Sequence, residues 1–535
     1  MEEQPQQHWS SGVWPQLLPE LAERIAGSLD SITIATSFRV VNKATAAHFS
    51  GPEHTTVRIS QPVPHHVFAA HWLAPGATRG LTLAQRDKLI CLTAASGELD
   101  NLGAALEVAG CPPSAALFEA LACAGRLALF KILWHLGISK HANMEYILKR
   151  ALTGAARGGH RHVCEWLLEQ NPDAWSWKAV TAAARSGHAD LVDWLIPLQM
   201  QSNEHQASPT CFKLYLPCAA AHGFRLAALK RFVRRHGWGM DGVFAKMRAL
   251  ESAAGSPTPD WAAKVEWLES KRRLRLACFL QKAAALPKND AEALLRLTWL
   301  HGRGYRLNYR VVVAAARAGN TGALGFALEQ VPVPVRGPDG RYGEKDAAEE
   351  AGKAGHLAAL QALHAAGWLQ RSADVAAAAA RHGHLHVLAW LLEALGAEAV
   401  GLSAGLFAAA AKSGSVELLA WLRQRGCEWD SAAFSAAALA GCVAALEWLA
   451  EQGCPMEALG AEAVGLSAGL FAAAAKSGSV ELLAWLRQRG CEWDSAAFSA
   501  AALAGCVAAL EWLAEQGCPM EVGAKRIGLR IALGF

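Results

Sequence analysis

The sequence predicts an all-α solenoid of about fourteen stacked helical hairpins, preceded by a short helical segment. Three observations predict it. Residues 394–457 and 458–521 are identical letter for letter, at an offset of 64. Inside each copy a weaker period of 27 carries Phe407, Gly414, Trp421 and Cys427 onto Phe434, Gly441, Trp448 and Cys454. A small-x-x-Gly turn followed by an apolar stretch recurs at Gly97, Gly125, Gly159, Gly187 and Gly223, then at Gly319, Gly355, Gly383, Gly414, Gly441, Gly478 and Gly505. A fixed period of roughly 20 to 50 residues marks stacked units, none of which can bury its apolar face alone.

Composition agrees with that fold and limits the partners. Hydrophobic residues make up 52% of the 535 and charged residues 18%, which excludes global disorder. The net charge of +4 is too small for a field that attracts nucleic acid, so no nucleic-acid partner is expected. Thirteen cysteines without a Cys-x-x-Cys pair imply reduced thiols set by the repeat period, in cytosol or nucleus. The opening MEEQPQQHWSSG has neither a basic region nor an apolar core and does not resemble a signal peptide; residues 1–12 are expected to be disordered. Uncharged runs at 399–411 and 464–475 fall short of the roughly 18 apolar residues that a membrane span needs, so no membrane insertion is expected.

Residues 13–49 stand outside the period. Pro15 and Pro19 introduce a helix whose Leu17, Leu18, Leu21, Ile25 and Leu29 share one stripe. Asp30-Ser31 stops it and caps a second helix carrying Ile32, Ile34, Phe38, Val40 and Val41. Leu18-Pro19-Glu20-Leu21, Ile25, Leu29 and Phe38-Arg39-Val40-Val41-Asn42-Lys43 together resemble an F-box, with Asn42 where that family usually has cysteine and no tryptophan after Lys43. The resemblance implies docking on the Skp adaptor of a cullin ubiquitin ligase through Leu18, Pro19, Leu21, Ile25, Leu29, Val40 and Val41. A helical cap over the first repeat explains the same residues. Residues 50–88 read as an irregular linker with a short strand at Thr55–Ile59.

Each repeat reads as an alanine-rich helix, a tight glycine turn, a second helix and a loop. Tryptophan follows the turn glycine by seven residues at Trp166, Trp194, Trp390, Trp421, Trp448, Trp485 and Trp512. Ala-Ala-Arg-Gly-Gly-His (155–160), Ala-Ala-Arg-Ser-Gly-His (183–188), Gly-Lys-Ala-Gly-His-Leu (352–357) and Ala-Arg-His-Gly-His-Leu (380–385) resemble ankyrin repeats of the divergent, Trp-Leu-rich kind found in green algae and protists. The family's Thr-Pro-Leu-His signature is absent; the 27- and 28-residue units are expected to have trimmed β-hairpin fingers, and the 34- to 37-residue units a longer loop or an extended first helix. The resemblance implies repeats over 89–250 and 311–521, degenerate repeats over 251–310, a tail over 522–535, and protein partners on the concave face. With helix axes roughly 8–10 Å apart, such an array spans on the order of 120 Å. Identity of the two copies without one substitution marks a very recent duplication or an exon group counted twice.

Chemistry is sparse. Gly401-Leu402-Ser403-Ala404-Gly405 has the nucleophile-elbow pattern, but its flanks are helical and no histidine follows His386. His382, His384 and His386 alternate and cannot converge from one helix face; with His160, His188 and His356 they are expected to hydrogen-bond in stacked turns. Lys230-Arg231, Arg234-Arg235 and Lys271-Arg272-Arg273 read as solvated helix faces. No phosphate loop or metal-protease pattern occurs, so no enzyme activity and no cofactor or metal are expected, and a sphingomyelin-phosphodiesterase-related activity has no ligand set behind it. The reading is a protein-binding scaffold, with or without a ligase adaptor.

Overall fold

A computed structural model describes residues 19–41, 43–111, 113–136, 144–198, 215–236, 243–270, 283, 285, 287, 289–333, 347–369, 371–454, 468–504 and 506–519. The described residues form helices and connecting turns, with no strand. Thirteen helical hairpins are described in both arms, from Leu83–Ser96 with Leu99–Ala109 to Ser495–Ala504 with Val507–Glu515. One further unit, between Ser270 and Tyr309, is described through its second helix, Asp290–Gly302. The protein is a helical-repeat solenoid.

First helices pack on first helices. Ala115–Cys123, Met144–Gly158, Trp177–Arg185, Leu216–Gly223 and Val243–Ala254 form one continuous layer, and their second helices form the other. Alanine lets the layers approach closely: Ala151, Ala155, Ala179, Ala183 and Ala220 are all fully buried. Leucine and valine of the second helices fill the space behind them, including Val163, Leu167, Leu195, Leu419 and Leu449. One apolar core runs unbroken from Ile90 to Cys518. At roughly 1.5–3 kcal/mol for each buried aliphatic side chain, this continuous burial is what holds units too small to fold alone.

The linker expected at 50–88 carries two short helices, Pro52–Thr55 and His65–Trp72, among turns before the first repeat begins. Gly51 caps a turn at Pro52–Thr55, and Pro52 at its first position favours helix over the expected strand. Thr56 is extended but has no partner strand among the described residues, so the strand at Thr55–Ile59 does not form. A helix at His65–Trp72 packs on Leu99–Ala109, and Asn101 donates to the Val63 carbonyl at 2.7 Å while bonding His65 at 2.9 Å. The first repeat begins at Leu83, six residues before the expected boundary, because Thr82 and Gln85 form a reciprocal capping box.

The segment before the first repeat and the first repeat itself also meet the C-terminal repeats, where an elongated array spanning on the order of 120 Å was expected. The Arg79 carbonyl accepts from the Ala444 amide at 3.2 Å, satisfying an orphan donor in the first turn of Val443–Glu451. Arg79 pairs with Glu447 and Glu481 at 3.0 and 2.6 Å. Arg86, 5% exposed, donates to the Ala109 and Gly441 carbonyls at 2.8 and 3.1 Å. The half-exposed Arg79 pairs are each worth less than about 1 kcal/mol. Arg86, bonded within the buried contact, contributes more.

Candidate interaction surfaces

The stacked turns set where everything else lies. Gly159, Gly187, Gly383, Gly414, Gly441 and Gly478 have φ between 73° and 93°, the left-handed conformation that ends each first helix. Gly505 lies outside the described residues. Gly159 shows a second constraint: a Cβ there would meet the His188 ring at 2.4 Å. Gly223 departs from the expected turn. It is the last helical residue, with no positive φ, and is glycine because a Cβ would lie 2.1 Å from the Ala184 carbonyl oxygen.

Each turn leaves helix-terminal carbonyls without intrahelical donors, and the next unit supplies the donor. His160 Nε2 donates to Cys123 O at 3.1 Å, His188 Nε2 to Arg157 O at 3.1 Å, and His384 Nε2 to Lys353 O at 3.0 Å. A carbonyl only accepts, so these rings carry hydrogen on Nε2. His386 goes to Gly355 O and His382 to Ala378 O, so the three alternating histidines reach three separate carbonyls. Burial is the largest influence on His160 and His384 and lowers both from the ordinary 6.5. No group of three metal-ligating side chains occurs among the described residues.

The central stretch performs the same task with cations that the sequence reading missed. Lys264, fully buried, donates to Ala221 O at 2.9 Å, Phe224 O at 2.8 Å and Ser256 Oγ at 2.6 Å. Burial pushes its ammonium down to about 8. Arg296, also buried, donates to Ala254 O and Ser256 O at 3.0 and 2.7 Å. Lys264 and Ser256 form a close pair sealed from solvent, which makes them a structural brace. The nucleophile-elbow pattern is likewise structural: Gly401 ends one helix with φ 70°, and Ser403 caps Ala404–Ser413.

Six of the seven period tryptophans, Trp166, Trp194, Trp390, Trp421, Trp448 and Trp512, lie half-buried against the core, and Trp485 is 6% exposed. Arg425 stacks over Trp421 at 3.8 Å and Arg489 over Trp485 at 3.9 Å. The basic run at Arg231 and Arg235 pairs with Asp190 and Asp193 of the preceding unit, which explains it without a ligand. Lys271–Arg273 lies outside the described residues. Burial raises the thiols of Cys164 and Cys506 to about 12, so they are poor nucleophiles.

Two surfaces among the described residues bear on binding. The first is on the N-terminal module. Ala22, Ala26, Ile34, Phe38 and Phe49 form its own small core, with Leu29 packed against it. Asp30 caps the second segment by accepting from Ile32 N and Thr33 N at 2.9 Å, and the Thr33 hydroxyl and these amides lower its carboxyl below 3.8. That segment is a helical turn at Ser31–Thr33, a wider π-helical turn at Ile34–Phe38 and a tight turn at Arg39–Val41, in place of the regular helix expected. Leu21, Ile25, Val40 and Val41 are 44%, 39%, 71% and 46% exposed. Pro19 opens the first helix, and Leu18 lies outside the described residues.

The second surface is a groove of about 920 Å³ across four successive first helices. Among the described residues, Arg157, Trp177, Lys178, Arg185, Tyr215 and Arg248 line it, together with small polar residues and no carboxylate.

No family model and no curated protein matches this chain. Among solved structures, the pentatricopeptide repeat protein PPR10 from maize aligns over 96% of this chain and 93% of that one, at 11% identity and a TM-score of 0.24. That superposition is too loose to bear on ligand or family. No described helix is long and apolar enough to cross a membrane.

Proposed function

We propose that this solenoid is a non-enzymatic protein-binding subunit whose N-terminal module docks the Skp adaptor of a cullin ubiquitin ligase while the array holds a target. The observation that carries the reading is the exposure of Leu21, Ile25, Val40 and Val41 on a module whose own core is already filled by Ala22, Ala26, Ile34, Phe38 and Phe49. Four large apolar side chains left in water on so small a unit mark an interface. The test is co-precipitation of the Skp adaptor with the full-length chain. Leu21→Asp with Ile25→Asp abolishes it without lowering the melting temperature, since both residues are already exposed. Absence of binding by the folded wild-type chain removes the ligase role.

A second reading, a plain scaffold capped by this module, has one observation in its favour. Ile32 shares an apolar cluster with Leu89, Ala104 and Ala105 of the first repeat. On that reading, deleting residues 13–49 lowers the melting of the first repeats, and an unchanged melt excludes it.

A further inference from the structure

We infer that the groove across Met144–Gly158, Trp177–Arg185, Leu216–Gly223 and Val243–Ala254 binds an extended acidic segment of a protein partner, an inference that rests on the protein-binding reading above. Several arginines of the array are matched by carboxylates of a neighbouring unit. Arg231 meets Asp190, Arg235 meets Asp193, and Arg303 meets Glu269. In the groove, Arg157 shares Glu119 with Arg150, and Arg248 lies 4.0 Å from the buried Glu251. Lys178 and Arg185 have no ion pair among the described residues, and both are exposed. A concave site with two unmatched cations and no carboxylate among its described lining residues is complementary to an anion.

Spacing narrows the ligand. Lys178 and Arg185 are seven residues apart on one helix, a rise of about 10 Å. An extended chain covers that distance in about three residues. Acidic side chains at every third position of a polyproline-II-like segment, with three residues per turn and a rise of about 3.1 Å per residue, share one face and therefore meet both cations. Single-stranded nucleic acid fits less well, because it needs a series of exposed aromatic platforms. Tyr215 is exposed, but Trp177 is only 7% exposed and its face is committed to packing against Trp175.

The test is fluorescence anisotropy with the full-length chain and a labelled peptide of about twelve residues with Glu at every third position. The peptide binds, and affinity falls by about tenfold or more between about 50 and 200 mM salt. Lys178→Glu with Arg185→Glu lowers affinity by more than about tenfold, and the milder K178Q/R185Q pair lowers it in the same direction. The same peptide with Gln for Glu does not bind, and oligouridylate of equal length does not displace the acidic peptide. Equal binding of the Gln peptide, insensitivity to both variant pairs, or displacement by oligouridylate overturns the inference. Adaptor co-precipitation measured on K178E/R185E separates the two proposals, since it depends on Leu21 and Ile25 and not on the groove. Retained adaptor binding with no peptide binding overturns only the groove.

Discussion

The two copies at 394–457 and 458–521 have one sequence and two surroundings. Their helices match residue for residue: Ala404–Ser413 with Ala468–Ser477, Val416–Gln424 with Val480–Gln488, Ser431–Ala440 with Ser495–Ala504, and Val443–Glu451 with Val507–Glu515. The caps match too, with Ser415 accepting from Leu418 N at 3.2 Å and Ser479 from Leu482 N at 3.3 Å. The neighbours differ. Arg425 and Arg489 cover Trp421 and Trp485 alike, but Trp421 is half-buried, whereas Trp485 is 6% exposed and stacks on Phe434 of the first copy at 5.6 Å. Glu447 of the first copy and Glu481 of the second share Arg79, although they are not equivalent positions. Local structure in a repeat is thus set by its own sequence, and exposure is set by its place in the stack.

The largest effect that separates the copies comes from the buried leucines. Leu419→Ala and Leu483→Ala each remove a fully buried side chain and cost about 3 kcal/mol. L419A weakens stacking on both sides of its unit, whereas L483A loosens mainly the C-terminal units. Thermal melts with limited proteolysis check this, and equal fragment patterns would show the copies to be equivalent.

Next comes closure. Arg86→Met removes charged hydrogen bonds to Ala109 and Gly441 and costs about 2 kcal/mol. Small-angle scattering then shows a larger radius of gyration, and an unchanged radius contradicts the contact. Arg79→Glu is smaller, less than about 1 kcal/mol, because its pairs with Glu447 and Glu481 are half-exposed. Its effect fades in high salt, as urea melts at two ionic strengths check.

A pH comparison sharpens the same contrast. The copies cap their turns with Cys442 and Cys506, where other units use His160 and His384. Burial lowers the folded pKa of both histidines, so the unfolded chain binds protons first. Their stabilisation is complete above 6.5 and declines as pH falls below it. Hydrogen exchange at 155–170 therefore speeds up between about pH 6.5 and 5, relative to peptides common to the copies, after correction for intrinsic rates. A uniform change along the chain contradicts the assignment.

The hairpins were legible because the glycine turn and the tryptophan recur at fixed places. The cations that brace the middle were not. The turn donor is His160, Arg126, Cys442, Lys264 or Arg296 in different units, so no single residue type marks it. Lys264 reads as a solvated lysine until four carbonyl and hydroxyl oxygens are found around it. The groove escaped for a related reason: Arg157, Lys178, Arg185 and Arg248 come from three helices and form no run. The contact of Arg79 with Glu447 spans 368 residues and leaves no trace in any periodic pattern.

The central claim is that the chain is a stack of units with interchangeable local structure, each held by its neighbours. The most direct measurement is circular dichroism melting of a chain lacking residues 458–521, beside one lacking 458–483, which cuts within the helix Val480–Gln488. The account predicts that the 64-residue deletion, two whole units, keeps the helicity per residue and a cooperative melt, while the shorter deletion broadens or lowers it. Loss of cooperative melting on removing the complete copy would contradict it.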